Sequence, residues 1–375
     1  MFYTNAKIFT DTGFRLGSFE VTEDGKFGQI HFGAVPVNGV DLQGQKVIPG
    51  LVDVHIHGAM GSDFSDGDPD GLVKMGQYLL SEGITSFAPA SMTLPYDVLK
   101  KAFATGEAYA DNTPAEGARL MGIHMEGPYF SEKKKGAQNG AYLKNPDFEG
   151  FKALYDSCGG LVKIVDIAPE LPGSTEFVAQ AKTLCTVSIA HTDANYEDAK
   201  AAVEAGVTHL THLYNAMPGI HHRNPGVIPA VAENPAVRAE LICDGIHVHP
   251  ASVRLAFQIF GGERMVLISD ALRCCGMPDG KYELGGQDVY LEDGVGRLTD
   301  GTIAGAVTNL FEGMRRAISF GIREKDAIRA ATINPARAIG ADHMIGSIET
   351  GKLADFIICD AEYCNKRVFK GGEEI

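Results

Sequence analysis

The chain has 375 residues, 45% of them hydrophobic and 22% charged, with a formal net charge of −15 at neutral pH. A chain of this length buries a large core, and its acidity disfavours nucleic acid as a partner. No uncharged apolar run reaches the roughly 18 residues that would suggest a membrane span, and Met1 to Lys7 lack the basic region and apolar core of a signal peptide. A cytoplasmic location is therefore expected. The seven cysteines (Cys158, Cys185, Cys243, Cys274, Cys275, Cys359, Cys364) are odd in number and show no C-x-x-C pairing, so they read as reduced thiols. Cys185 and Cys243 fall in apolar runs and are expected in the core; Cys274 and Cys275 are expected to be partly exposed.

In chain order, residues 1–48 hold short runs such as Ala6-Lys7-Ile8-Phe9-Thr10, Ser18-Phe19-Glu20-Val21 and Gln29-Ile30-His31-Phe32, separated by Gly and Asp turns, the texture of short strands. The stretch PGLVDVHIHG follows, from Pro49. Strand alternation sends Val52, Val54 and Ile56 to one face and Asp53, His55 and His57 to the other. On an inner barrel strand the aliphatic face packs on outer helices while the two imidazoles converge. They lie about 6.5 Å apart at the backbone, close enough to share one metal ion.

The middle of the chain alternates strand-like and helix-like segments. Eight strand candidates run near residues 52–57, 86–91, 119–126, 162–168, 186–191, 209–212, 237–243 and 266–270. Amphipathic segments intervene, for example residues 70–82, 148–158, 175–184, 196–205, 250–260 and 307–320. Eight such repeats close into a (β/α)8 TIM barrel of the α/β class, with its chemistry at the C-terminal ends of the strands. The barrel is placed at residues 49–335. Strand-like texture returns near the C-terminus, and neither end has enough apolar residues to stand alone. Residues 1–48 and 336–375 are therefore expected to form one small β-sandwich domain.

Polar residues end these strands: His55 and His57 on the first, Glu126 on the third, His191 on the fifth, His212 on the sixth and Asp270 on the eighth. Singly, each has a structural reading as a cap or a satisfied core group. Together they would leave unpaired polar groups costing on the order of several kcal/mol, a cost that a bound metal removes.

The motifs GIHMEGPY (from Gly122), AHTDA (from Ala190), THLYNAMP (from Thr211), DGIHV (from Asp244), ISDA (from Ile268), GTIAGA (from Gly301) and NPAR (from Asn334) join PGLVDVHIHG. In these the chain resembles the amidohydrolase superfamily, and within it the N-acetylglucosamine-6-phosphate deacetylases, over nearly its full length. The resemblance implies metal-dependent hydrolysis of the acetamide of an N-acetylated phosphosugar. It makes Glu126, His191 and His212 the principal ligands, His55 and His57 the support of a second ion, and Asp270 the catalytic aspartate. The cofactor implied is one or two divalent ions, zinc or iron, with Glu126 bridging where there are two. It also implies substrate contacts from Ala137, Gln138, Asn215, Ala216, His247, Ile303, Ala304 and Gly305. Arg223 in HHRNPG would bind the phosphate, by a fork suited to that anion. In relatives this arginine and the histidine matching His247 reach a neighbouring subunit, so a homodimer is implied.

The chain departs from the family pattern at two places. Glutamine stands at 138 in KKGAQN, where histidine is common, and SDALRCCGMPDG replaces the small-residue run that usually follows the catalytic aspartate. A glutamine hydrogen-bonds a sugar but carries no proton, so these changes bear on sugar preference more than on reaction type. The run Lys133-Lys134-Lys135 reads as a solvated loop. Two rival readings stand beside this one: another deacetylase or cyclic-amide hydrolase of the superfamily, and a catalytically silent barrel that only binds.

Overall fold

The computed structural model describes residues 1–33 and 38–375. Its centre is a barrel of eight parallel strands. They are Leu51–Ile56, Ile84–Ser91, a third strand in two pieces (Arg119–Leu120 and Ile123–Met125), Val162–Ile167, Thr186–Ile189, His209–Leu210, Arg238–Ile242 and Met265–Ile268. Each pairs with its sequence neighbour in parallel register from the first to the eighth. The seam between strands eight and one has no regular ladder. The amide of Asp270 instead donates to the His55 carbonyl at 2.9 Å, and that of Ser269 to the Asp53 carboxylate at 3.3 Å. Asp53 thus serves the closure of the barrel rather than the face shared by His55 and His57.

Helices follow the strands, and several start where the sequence supplies a cap. Asp68, Asp147, Asn195 and Asn309 each accept a backbone N–H from the first turn of the helix they precede. Helix Pro69–Ser81 turns Leu72, Met75, Leu79 and Leu80 inward, and these pack in the same core as Ile56 of strand one. Val52 and Val54 instead join a cluster with Val266 and with Ala336 and Ile339, in and just after helix Ile333–Ala338. A register irregularity between Asp53 and Ile56 divides the strand in this way, so only part of its aliphatic face meets the outer helices in the expected manner.

After strand eight comes an antiparallel sheet of Gly280–Leu284, Gln287–Glu292 and Val295–Leu298, which the strand-helix reading does not anticipate. Its two turns, Gly285-Gly286 and Asp293-Gly294, all have positive φ, as two-residue hairpin loops require. Leu284, Val289 and Leu291 pack on Met92, Leu272 and Cys274, fixing the sheet over the barrel mouth. Cys274 and Cys275 are therefore buried, each 1% exposed, which corrects the expectation of partial exposure. Cys243 is buried as expected, whereas Cys185 is only half-buried.

Both termini feed one further sheet of eight strands. Phe2–Thr10, Gly13–Val21, Phe27–Phe32, Val40–Asp41 and Lys46–Pro49 come from the front of the chain, and Phe356–Cys359, Lys366–Lys370 and Glu373–Glu374 from its end. Phe356 and Phe27 stand four strand positions apart, roughly 19 Å if the sheet were flat, yet their rings are 6.0 Å apart. The sheet therefore curls over Tyr3, Phe19, Phe27, Phe356 and Phe369, enclosing its core within one continuous sheet. No helix among the described residues is long and apolar enough to cross a membrane.

Candidate active site and metal centre

The four imidazoles and two carboxylates picked out at the strand ends converge at the C-terminal mouth of the barrel. Glu126 Oε1 lies 3.1 Å from His191 Nε2 and 3.2 Å from His212 Nε2, and the two nitrogens are 3.1 Å apart. A tetrahedral ion with ligands at about 2.0–2.1 Å has ligand–ligand edges of about 3.3–3.4 Å, so this triangle nearly matches one face of such a site. A second group adjoins it. His57 Nε2 is 3.3 Å from both Glu126 Oε2 and Asp270 Oδ1, and His55 Nε2 is 3.6 Å from Asp270 Oδ1 and 3.7 Å from Glu126 Oε1. His55 Nε2 is fully buried and has no hydrogen-bond partner. An orphaned nitrogen beside two carboxylates is the donor that a divalent cation would satisfy, and the N/O donor set suits one.

The charges compensate one another. Burial alone would raise the Glu126 pKa, but hydrogen bonds from His191, His212 and His57 hold it well below its usual value. Burial opposes protonation of His57, yet Asp270 and Glu126 raise its pKa well above normal. His212 is pushed up to about 9 against its own burial, chiefly by its hydrogen bond to Glu126. Burial would raise Asp270, but its hydrogen bond from His57 and the neighbouring imidazole charges lower it. Protons thus occupy positions that a cation would take.

The backbone is bent where these groups sit. His191, His212 and Asp270 have φ of 42°, 28° and 48°, in the left-handed region that side-chain-bearing residues rarely adopt. Each chain segment turns sharply off its strand end, aiming the side chain at a common point. Gly305 lies against Asp270: a Cβ there would stand 2.5 Å from the Asp270 carbonyl oxygen, and Ala306 N donates to that carbonyl at 2.8 Å. The GTIAGA segment therefore runs close beside Asp270 because glycine permits the approach.

Above the polar floor is a cavity of ≈ 220 Å³. Of the residues expected around a substrate, Ala137, Gln138, Asn215, Ala216, His247, Ile303, Ala304 and Gly305 all line it, together with His57, Glu126, His191, His212 and Asp270. His55 lies buried behind His57. Met92, Gly136, Leu272, Leu284 and Thr302 complete the lining; the first four carry no chemical signature, and only the hairpin sheet brings Leu284 there. The DGIHV motif has a local explanation. Asp244 Oδ1 accepts the amides of Ile246 and His247, both at 2.8 Å, while Oδ2 holds His247 Nδ1 at 2.6 Å. His247 Nε2 is left buried without a partner. Burial disfavours its charged form, but Asp244 raises its pKa, and in the protonated ring Nε2 presents a donor to the cavity.

Two expected contacts stand differently. Arg223 is exposed, with Nη1 2.7 Å from His222 Nε2, and is not among the cavity-lining residues of its own chain. Gln138 lines the cavity, but protein groups use both ends of its amide: Oε1 accepts the Thr93 amide at 2.7 Å, and Nε2 donates to Glu126 Oε2 at 2.5 Å. A hydrogen bond to a charged group contributes about 1.5–3 kcal/mol. Gln138→Ala is accordingly expected to weaken metal binding about tenfold in chelator competition; unchanged affinity would return Gln138 to the substrate alone.

The polar layer beneath this floor is not anticipated from the motifs. Glu240, His124, Asp166 and His209 are all fully buried inside the barrel. Glu240 accepts from His55 Nδ1 at 2.9 Å and lies 3.0 Å from His209 Nε2, while Asp166 lies 3.0 Å from His124 Nε2. The available signal was a carboxylate at an inward position of an apolar strand.

Residues 46–374 match the model of the amidohydrolase family. The chain is 38% identical to an N-acetylglucosamine-6-phosphate deacetylase of Bacillus subtilis, over 84% of this chain and 81% of that protein. It is 33% identical to an N-acetylgalactosamine-6-phosphate deacetylase of Escherichia coli O157:H7, over 87% of each. Among solved structures it is similar to an N-acetyl-D-glucosamine-6-phosphate deacetylase of Mycobacterium smegmatis in complex with N-acetyl-D-glucosamine-6-phosphate, with a TM-score of 0.94 and 32% identity. That match covers 100% of this chain and 98% of the other.

Proposed function

The chain belongs to the amidohydrolase family and, within it, to the N-acetylglucosamine-6-phosphate deacetylases; from that premise we propose that it hydrolyses N-acetylglucosamine 6-phosphate to glucosamine 6-phosphate and acetate, a step of amino-sugar catabolism. The observation that carries this reading is the convergence of Glu126, His191, His212 and Asp270 on the floor of a cavity walled by Asn215, Ala216, His247 and Ile303 to Gly305.

Divalent cations fit these residues: Glu126, His191 and His212 would hold one, and His55 and His57, with the neighbouring carboxylates, would hold a second. Zinc and iron both accept these donors. When bound, such ions supply Lewis acidity and lower the pKa of water toward about 7. Asp270, kept ionised by its imidazole neighbours, takes a proton from the attacking water as the oxygen bonds to the acetamide carbon. His247 Nε2 donates to the carbonyl oxygen as negative charge develops there. Asp270 then returns the proton to nitrogen as the C–N bond breaks, leaving the free amine and acetic acid, whose remaining proton passes to solvent to give acetate.

The exposure of Arg223 supports a homodimer in which this arginine reaches the partner's cavity and binds the 6-phosphate. Loss of a bidentate charged contact is expected to raise KM about 10–100-fold in Arg223→Ala, with kcat at saturation little changed; an unchanged KM removes Arg223 from the site. The eight-stranded sheet supports treating residues 1–48 and 336–375 as the small domain beside a barrel of residues 49–335. A phosphorylated substrate and seven unpaired cysteines support a cytoplasmic setting.

Acetate release from N-acetylglucosamine 6-phosphate by metal-loaded protein tests the activity, with the galactosamine epimer run in parallel. Release from the glucosamine substrate is the expected result. Release from the epimer alone would reassign the sugar, and none from either would leave only the family.

A further inference from the structure

We propose that Glu240, on strand Arg238–Ile242, is the positioning residue that makes the His55/His57 pair a metal site; this rests on the two-ion reading above. Ala239 and Leu241, its neighbours, face the outer helices, so alternation turns Glu240 into the barrel, where it is fully buried. There it ties together three other strands and the turn that carries a ligand. Oε2 takes His55 Nδ1 at 2.9 Å and the His212 amide at 3.3 Å, and Oε1 lies 3.0 Å from His209 Nε2 and 3.7 Å from His124 Nδ1.

The contact with His55 decides what that imidazole can do. An ionised carboxylate only accepts hydrogen bonds, so Nδ1 of His55 carries the proton and the ring's lone pair is left on Nε2. That is the buried, partnerless nitrogen facing Asp270 and Glu126. Without Glu240 the ring is free to take the other tautomer, with N–H pointing where an ion would sit. His57 offers no substitute, because its own Nδ1 is buried without a partner. The other site has its own support: His191 Nδ1 lies 2.9 Å from the Lys134 carbonyl oxygen. The strand-one site therefore depends on Glu240, while the Glu126/His191/His212 site meets Glu240 only through the backbone amide of His212.

Removing such an outer carboxylate typically costs 10–100-fold in metal affinity. The experiment is zinc titration of the metal-stripped full chain against a chromophoric chelator, with bound zinc counted by elemental analysis. The proteins compared are wild type, Glu240→Leu, Glu240→Asp and Asp166→Asn. Asp166 is the control, since it sits in the same buried layer but accepts from Thr211 and lies 3.0 Å from His124 Nε2, with no contact to His55. Wild type and Asp166→Asn are expected to hold two ions. Glu240→Leu, which fills the space but offers His55 no acceptor, should hold one at wild-type affinity and the second about 10–100-fold more weakly. Glu240→Asp, which keeps the charge but shortens the reach, should show the same selective loss and serves as the test if the leucine variant does not fold.

Both ions at wild-type affinity in the folded Glu240 variants would overturn the proposal. Equal loss in Asp166→Asn would also overturn it, by tracing the effect to the whole buried layer. A single ion in wild type would overturn the two-ion reading first and the role of Glu240 with it.

Discussion

Replacing Asp270 by asparagine is expected to lower kcat for acetate release by about 10²–10⁴-fold, the usual weight of a positioned general acid–base group. The ion at Glu126, His191 and His212 should remain. Asparagine has nearly the same shape, and Asp270 is held by its backbone: its amide donates to His55 and its carbonyl accepts from Ala306, with Gly305 close against it. What changes is the capacity to take and return a proton. The wild-type pH profile should agree in sign. The Asp270 carboxyl is lowered by its imidazole neighbours despite burial, so the base form persists to lower pH than an ordinary aspartate, and activity falls only as the pH drops through that depressed value. Kinetics with parallel elemental analysis check both parts, and near wild-type turnover in a metal-loaded Asp270→Asn would end the assignment.

Most of this site was legible because period-two alternation and strand ends are sequence features. His55, His57, Glu126, His191, His212 and Asp270 each stand at or within two residues of a strand end, and the barrel brings those ends together. The hairpin sheet over the mouth was legible in principle: Gly285-Gly286 and Asp293-Gly294 are strong two-residue turn signals between alternating runs. They are hard to pick out because the surrounding pattern is one of strands alternating with helices. Glu240 was harder to read. A lone carboxylate in Ala239-Glu240-Leu241 looks the same whether it faces solvent or a histidine on another strand, and only closure of the barrel brings it to His55. Arg223 and Gln138 mark a different limit. Motif position puts both near a substrate, but whether a side chain reaches the ligand, a partner chain or Glu126 depends on packing that local sequence does not encode.

Metal binding is expected to tighten with rising pH, about tenfold per pH unit through pH 8 for the ion held through His212, and then to level off. The sign follows from which state carries the protons. In the metal-free protein the Glu126 hydrogen bond pushes His212 up to about 9, and Asp270 and Glu126 hold His57 well above the usual histidine range. His212 is therefore protonated at neutral pH when no cation is present, and the protonated form of His57 is favoured in the same way. Each must give up its proton to donate a lone pair, His212 to one ion and His57 to the other, so binding releases one proton per site. Affinity must then rise with pH until the free protein loses those protons, above about 9 for His212. From pH 6 to pH 8 the chelator-competition constant should change about 100-fold for the ion held through His212, and in the same direction for the ion held through His57. A constant affinity across that interval would mean that the rings are already neutral in the free protein, and that the pairing of Glu126 and Asp270 with these imidazoles is not an ionic one.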